Sequence, residues 1–355
     1  MKGDLGCRRA EDDIHIDARL NRVATECGRV AASLQAVEPG ADAAYLSATQ
    51  RRETTPGDRT MPATRLIDRG VIRVSGEEAR GFLQNLVTND MDEVTTERAG
   101  YGALLTPQGK IICDFLIVAL PEKDGGGFLL DCPLPQSADL MKRLKLYKLR
   151  AKVTLDDLTQ TSAVIAATDG GALPREAGLV YDDPRLPALG QRAITAGEGA
   201  GAPAAAPPEA YHARRIALGI PDGGRDFAYG DTFPHEALLD QLGGVSFKKG
   251  CYIGQEVVSR MQHRGTARTR VVPVVFEAGV AAETGAQASA DGKPLGTIGS
   301  GAGGRALALI RLDRLADALS AGTAPLGGGL AFHLAEKPGF IRFPFPGEPG
   351  FGAAP

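Results

Sequence analysis

The stretch Phe247-Lys-Lys-Gly-Cys-Tyr-Ile-Gly-Gln-Glu-Val-Val-Ser-Arg260 holds the residues best suited to chemistry. It reads as a turn that feeds a helix. Gly250 and Gly254 permit unusual backbone angles, and Val257, Val258 and Met261 give the following helix a buried face. Cys251 therefore precedes a helix N-terminus, with Lys248 and Lys249 beside it, and both features favour a thiolate. A free thiol with a pKa near 8.5 is only about 3% ionised at pH 7. Lowering that pKa by roughly two units requires about 2.7 kcal/mol, and a helix terminus supplies about 0.3 to 1 kcal/mol, so a lysine has to contribute. The competing account is packing, with Cys251 a small buried residue that fills a tight turn.

Other reactive residue types are present without the spacing that chemistry needs. Cys7, Cys27, Cys113 and Cys132 complete an odd set of five with no CxxC pair. That pattern argues against a disulfide framework, and suits the cytoplasm or, in a eukaryote, the mitochondrial matrix. No resident zinc or iron–sulfur cluster is predicted from such spacing. His15, His212, His235, His263 and His333 form no HExxH pair, and no serine stands in a GxSxG elbow, so neither a metal site nor a hydrolase is predicted. Gly299-Ser-Gly-Ala-Gly-Gly304 fits the GxGxxG dinucleotide fingerprint but lies in a β-rich region without a βαβ unit, and is read as a hairpin turn.

A chain of 355 residues needs two or three domains to hold these groups in place. Its formal net charge of -3 gives no footprint for nucleic acid or anionic lipid. No apolar run is long enough to span a membrane. Residues 1–60 read as a dispensable extension with an amphipathic helix from Ile14 to Val37, and Met61 as a second candidate start. Over 61–270 the pattern mixes hairpins and helices, which indicates an α+β fold. Strands are predicted at Arg65–Val74, Tyr101–Thr106, Ile111–Ala119, Phe128–Asp131, Ala151–Leu155 and Ala163–Ala167. Helices are predicted after a Ser75/Glu78 capping box, over Ser137–Leu149, and over Glu209–Leu218 with Gly219 as its stop. Residues 197–208 form an Ala/Gly/Pro-rich loop, and 271–355 turn to short β-runs that suit a terminal barrel.

Lys249-Gly-Cys-Tyr-Ile-Gly-Gln-Glu256 matches the K-G-C-Y-x-G-Q-E signature, so the chain resembles the YgfZ-type folate-binding proteins of the glycine-cleavage T-protein (aminomethyltransferase) superfamily. Lys249, Gly250, Cys251, Tyr252, Gly254, Gln255 and Glu256 carry that likeness. Gly81–Asp90, Tyr101–Lys110, Arg215-Ile-Ala-Leu-Gly-Ile-Pro221 and Phe233-Pro-His-Glu236 resemble further family segments in family order. The resemblance implies a ring of small GcvT-like α+β domains closed by a C-terminal β-barrel, with tetrahydrofolate or a one-carbon derivative in the central opening. It also implies a role in assembling or repairing iron–sulfur clusters, with client or cluster-assembly proteins as partners. Cys251 would be the functional thiolate and Lys249 its helper. For the folate, Glu236 or Asp114 could face the pterin edge, Tyr101 or Tyr252 could form a wall, and Arg215 or Arg260 could meet a carboxylate. T-proteins carry paired aspartates where this chain has Cys113-Asp114, which weakens the alternative of a folate-dependent aminomethyltransferase and leaves turnover open. Neighbours on a strand face opposite ways, so only one of Cys113 and Asp114 can meet the ligand.

Overall fold

A computed structural model describes residues 62–197, 206–265 and 267–352. The expected extension over 1–60 with its helix, and most of the 197–208 loop, lie outside the described residues. Three β-modules follow one another. The first sheet contains β2 (Arg69–Ser75), β3 (Gly100–Leu105), β4 (Ile111–Ala119), β5 (Phe128–Pro133) and β6 (Thr154–Asp157), in the order β3-β4-β5-β2-β6. The second contains β1 (Ala63–Arg65), β7 (Ser162–Ala167), β8 (Leu179–Asp182) and β9 (Gln191–Ala196), in the order β1-β7-β9-β8. A closed barrel ends the fold: β10 (Thr269–Phe276), β11 (Gln287–Ala290), β12 (Lys293–Ala302), β13 (Arg305–Arg311), β14 (Leu326–Gly327) and β15 (Leu330–Leu334), which join as β10-β13-β12-β11-β14-β15.

Five α-helices are described: α1 (Ala79–Gln84), α2 (Leu134–Lys148), α3 (Pro208–Leu218), α4 (Gln255–Arg264) and α5 (Leu312–Ser320). The α+β class and the terminal barrel are as expected. α3 ends at Gly219 in the left-handed region, and its N–H bonds back into the helix. The GxGxxG stretch lies along β12 and its turn into β13, with Gly303 at φ 59°.

Three expectations need correction. The single strand over Arg65–Val74 is two, because Arg69 bonds back to the Leu66 carbonyl and the chain crosses from the second sheet to the first. The Ser75/Glu78 capping box does not form. Glu78 occupies the cap position itself, and its carboxylate accepts a bond from the Lys152 amide at 2.5 Å. The strand predicted over Ala151–Leu155 begins only at Thr154.

β4 is buried at all nine positions because both of its faces are covered. Cys113, Phe115 and Ile117 join Leu83, Leu130 and Leu144 in a core beneath α1 and α2. Leu116 and Val118 face the other way, into a core that runs through Tyr101, Ile194 and Tyr211 to barrel residues such as Val272 and Leu307. That alternation decides between Cys113 and Asp114: the carboxylate, not the thiol, turns toward the space between the modules.

Candidate functional site

The signature loop is pinned at two points. At the first, the Lys249 Nζ donates to the carbonyls of Gln84 at 2.6 Å, Val87 at 2.9 Å and Asn89 at 2.7 Å. These are the carbonyls at and just after the end of α1, where a cation is favoured. Burial lowers the Lys249 pKa to about 8, against the pull of Asp90 and Asp92. Its ammonium is therefore a tether for the loop. Tyr252 lies buried beneath this ammonium, with its ring centroid 5.4 Å from Nζ. Its hydroxyl has no partner among the described residues, and burial pushes it up to about 12.

The second point is a close contact between two turns. Gly254, at φ 81°, caps α4, and a Cβ there would stand 2.6 Å from the Thr106 carbonyl and 3.0 Å from the Gly109 Cα. Gly109 also has φ 81°, and a Cβ on it would meet Val257 at 3.0 Å. Both glycines are thus required by the same approach, which joins the Tyr101–Lys110 segment to the signature. Nothing in the structure explains Gly250 sterically. Gln255 opens α4, and Glu256 pairs with Arg260 on its exposed side. Gly254→Ala is expected to lower stability by about 1–3 kcal/mol, since it adds a left-handed alanine and a clash with backbone. A thermal melt checks this, and an unchanged midpoint would remove the interlock as the reason for this glycine.

Between the two pins, Cys251 is exposed, whereas Cys113 and Cys132 are buried. Packing therefore does not account for it. α4 begins four positions later, at Gln255, so its dipole, which acts within about one turn, bears on Cys251 less than the sequence suggests. Burial pushes the Cys113 thiol well up and the Cys132 thiol to about 12, which leaves Cys251 as the accessible nucleophile of the three.

The expected folate ligands do not gather at one place. Tyr101 donates to Asp114 at 2.9 Å, and Tyr229 donates to its other oxygen at 2.5 Å. Burial raises the Asp114 pKa while these hydroxyls oppose it. Arg215 is fully buried, and its guanidinium is committed to Asp226 at 2.7 Å, Ser300 at 2.8 Å, His212 at 3.0 Å and the Ile220 carbonyl at 3.1 Å. It joins α3 to the barrel and is not free to meet a ligand carboxylate, which corrects the expectation for it. Glu236 accepts from the Phe233 amide at 2.8 Å and borders a separate shallow groove with Val257 and Met261. Arg260 stands on the exposed side of α4.

What the modules do enclose is a cleft of about 330 Å³. Tyr101 and Val245 contribute apolar wall, Asp90 and Asp182 carboxylates, and Lys248 and Arg98 cations. Of these, sequence reasoning singled out Tyr101 alone for a ligand. Tyr229 and Asp182 carry no local motif, and their roles depend on contacts between distant segments. The buried pairs behind the cleft were missed for the same reason: Asp131 with Arg69 and Arg192, each at 2.6 Å, and Asp183 with Arg185, also at 2.6 Å. Burial acts to raise Asp131, but Arg192 and Arg69 hold it below the usual carboxylate range.

Two domain families match this architecture: the GCVT N-terminal domain over residues 67–168, and the CAF17 C-terminal beta-barrel domain over 268–328. The human iron-sulfur cluster assembly factor IBA57, mitochondrial, is 34% identical over 293 residues, which cover 73% of this chain and 81% of the human one. The chain belongs to the IBA57 family. The mouse IBA57 is 32% identical, with 71% of this chain and 78% of its own length covered. For the Neurospora crassa IBA57 homolog the figures are 32% identity, 63% of this chain and only 55% of the relative's length. Glycine cleavage system aminomethyltransferase T from Bartonella henselae shares the fold at a TM-score of 0.61 and 16% identity, over 79% of this chain and 88% of that one.

Proposed function

We propose that this protein assists the assembly of iron–sulfur clusters in client enzymes, with Cys251 as its working thiol and reduced folate as the ligand of the central cleft. The observation that carries the first part is the exposed Cys251 at the centre of a doubly anchored signature loop, in a chain whose IBA57-family relatives are named cluster assembly factors. Among the described residues no three His, Cys, Asp or Glu side chains converge on a metal-sized space. A cluster, as cargo, would then meet Cys251 together with ligands of a partner protein. The names of the relatives carry the word mitochondrial, which favours the matrix over the cytoplasm.

Support for folate comes from the cleft, to which Tyr101 alone of the residues first expected contributes lining. A volume of about 330 Å³ lies at the lower end of the range for ligand sites, so it suits the pterin and leaves the glutamate tail toward the rim. Asp182 or Asp90 could accept the amino-pyrimidine N–H bonds, Tyr101 could wall the ring, and Lys248 could meet the tail. The buried Asp114, held by two tyrosines, then shapes the wall through Tyr101. Isothermal titration with tetrahydrofolate should show saturable binding, weakened about tenfold, roughly 1.4 kcal/mol, by Asp182→Asn or Lys248→Ala. Failure of the folded protein to bind at millimolar folate would remove the cofactor while leaving the role of Cys251 to its own test.

A further inference from the structure

The end of α2 carries a surface that neither the cleft nor the signature loop uses. Residues 142–152 read Lys-Arg-Leu-Lys-Leu-Tyr-Lys-Leu-Arg-Ala-Lys, six cations without an acid, inside a chain whose overall charge of -3 conceals them. Leu140, Met141 and Leu144 turn inward onto the first sheet. The residues left outside are apolar as well as basic: Leu146 is 65% exposed, and Leu149, just past the helix, is 88% exposed. Leu149 also has φ 45°, a region that β-carbon sterics disfavour for leucine. A glycine would occupy that position without strain, so a protruding leucine there gains nothing for the fold.

Of the acids at this end, two are paired with cations and two more hold backbone amides. Asp139 pairs with Arg143 at 2.6 Å, Glu77 with Lys152 at 2.8 Å, and the Glu78 carboxylate takes the Lys152 amide. On β6, packed alongside, the Asp157 carboxylate accepts the Thr159 amide at 3.0 Å, and Asp156 is the remaining acid. Lys142, Lys145, Lys148 and Arg150 have no ion-pair partner among the described residues and lie close in sequence to the two leucines, while Tyr147 packs against the core of the first sheet.

We propose that this tip docks the protein on an anionic phospholipid surface, with Leu146 and Leu149 entering the headgroup layer and the cations meeting phosphate and carboxylate groups. The choice of lipid over an acidic protein rests on residue type. Three of the four free cations are lysines, which are depleted from protein–protein interfaces. Lysine stems instead lie along apolar surface with the charge held in water, and exposed leucines suit the boundary between water and acyl chains. Both leucines are largely exposed, which fits insertion into a fluid layer.

The test is co-sedimentation of the full chain with vesicles of phosphatidylserine and phosphatidylcholine in equal parts, beside vesicles of phosphatidylcholine alone. Binding to the anionic vesicles alone is expected, released near 1 M salt, where the screening length falls to about 3 Å. Lys145→Glu with Lys148→Glu should weaken it by well over tenfold, since each lysine contributes roughly fivefold. Leu149→Gly separates docking from folding, because it should weaken binding while the melting temperature holds or rises as the strained leucine is relieved. No sedimentation of the intact chain with anionic vesicles, or equal sedimentation of the charge-reversed variant, overturns the proposal. If those same variants nonetheless lose support of client enzymes in cells, the occupant is an acidic protein surface and the lipid assignment is wrong.

Discussion

Replacing Cys251 with serine is expected to abolish the support of client iron–sulfur enzymes in a deletion strain while leaving the fold in place. The side chain is exposed and its loop is held by Lys249 and Gly254, so the exchange should change stability by no more than about 0.5 kcal/mol, a degree or two in melting temperature. Titration with tetrahydrofolate should be nearly unchanged, because Cys251 is not among the residues lining the cleft. In the native protein, iodoacetamide at pH 7 should label Cys251 well before Cys113 or Cys132, whose thiols are buried and pushed up in pKa. Labelling followed by peptide mapping reads this directly. Full restoration of client activity by the serine variant would end the case for a working thiol, and the signature would then stand for loop geometry alone.

The largest loss of stability is expected at Arg215. Arg215→Ala leaves the Asp226 carboxylate buried beside Ser300 without its cation. Breaking a buried pair in this way costs about 3–5 kcal/mol. The melting temperature should fall by roughly ten degrees or more. Arg215→Lys should recover little, since one ammonium cannot reach Asp226, Ser300 and the Ile220 carbonyl in a fork. Any drop in folate affinity should then follow the fraction of folded protein. A variant that melts like the native chain but has lost folate selectively would restore Arg215 to the ligand.

The contrast between these two residues shows what the sequence discloses. Cys251 was legible because its neighbours in sequence are also its neighbours in space, and turn glycines followed by an apolar helix face mark an exposed loop. Arg215 was equally visible as a motif, but its environment was not, because Ser300 stands on a barrel strand 85 positions away. The anchoring of Lys249 was hidden for the same reason, since its three carbonyls lie 160 or more positions earlier. β4 could be read from an apolar run broken only by Asp114, and even its two faces follow once register is known. β8 and β9 escaped because the first is only half-buried and Pro184 and Pro187 interrupt the segment between them. α5 was hidden by the strand pattern that runs straight into Leu312. Beyond Tyr101 the cleft could not be read, for it is made where three distant segments meet.

The two anchors of the signature loop bear on how quickly and how tightly a partner can take hold of it. A free loop gives up roughly 1–2 kcal/mol of backbone entropy for each residue that becomes fixed on association. Here Lys249 and Gly254 bracket only four intervening residues counted from the lysine, and their contacts form when the chain folds. The thiol is therefore offered already aimed. Much of the ordering cost falls on folding, not on encounter, and a transient complex can be specific without burying a large surface.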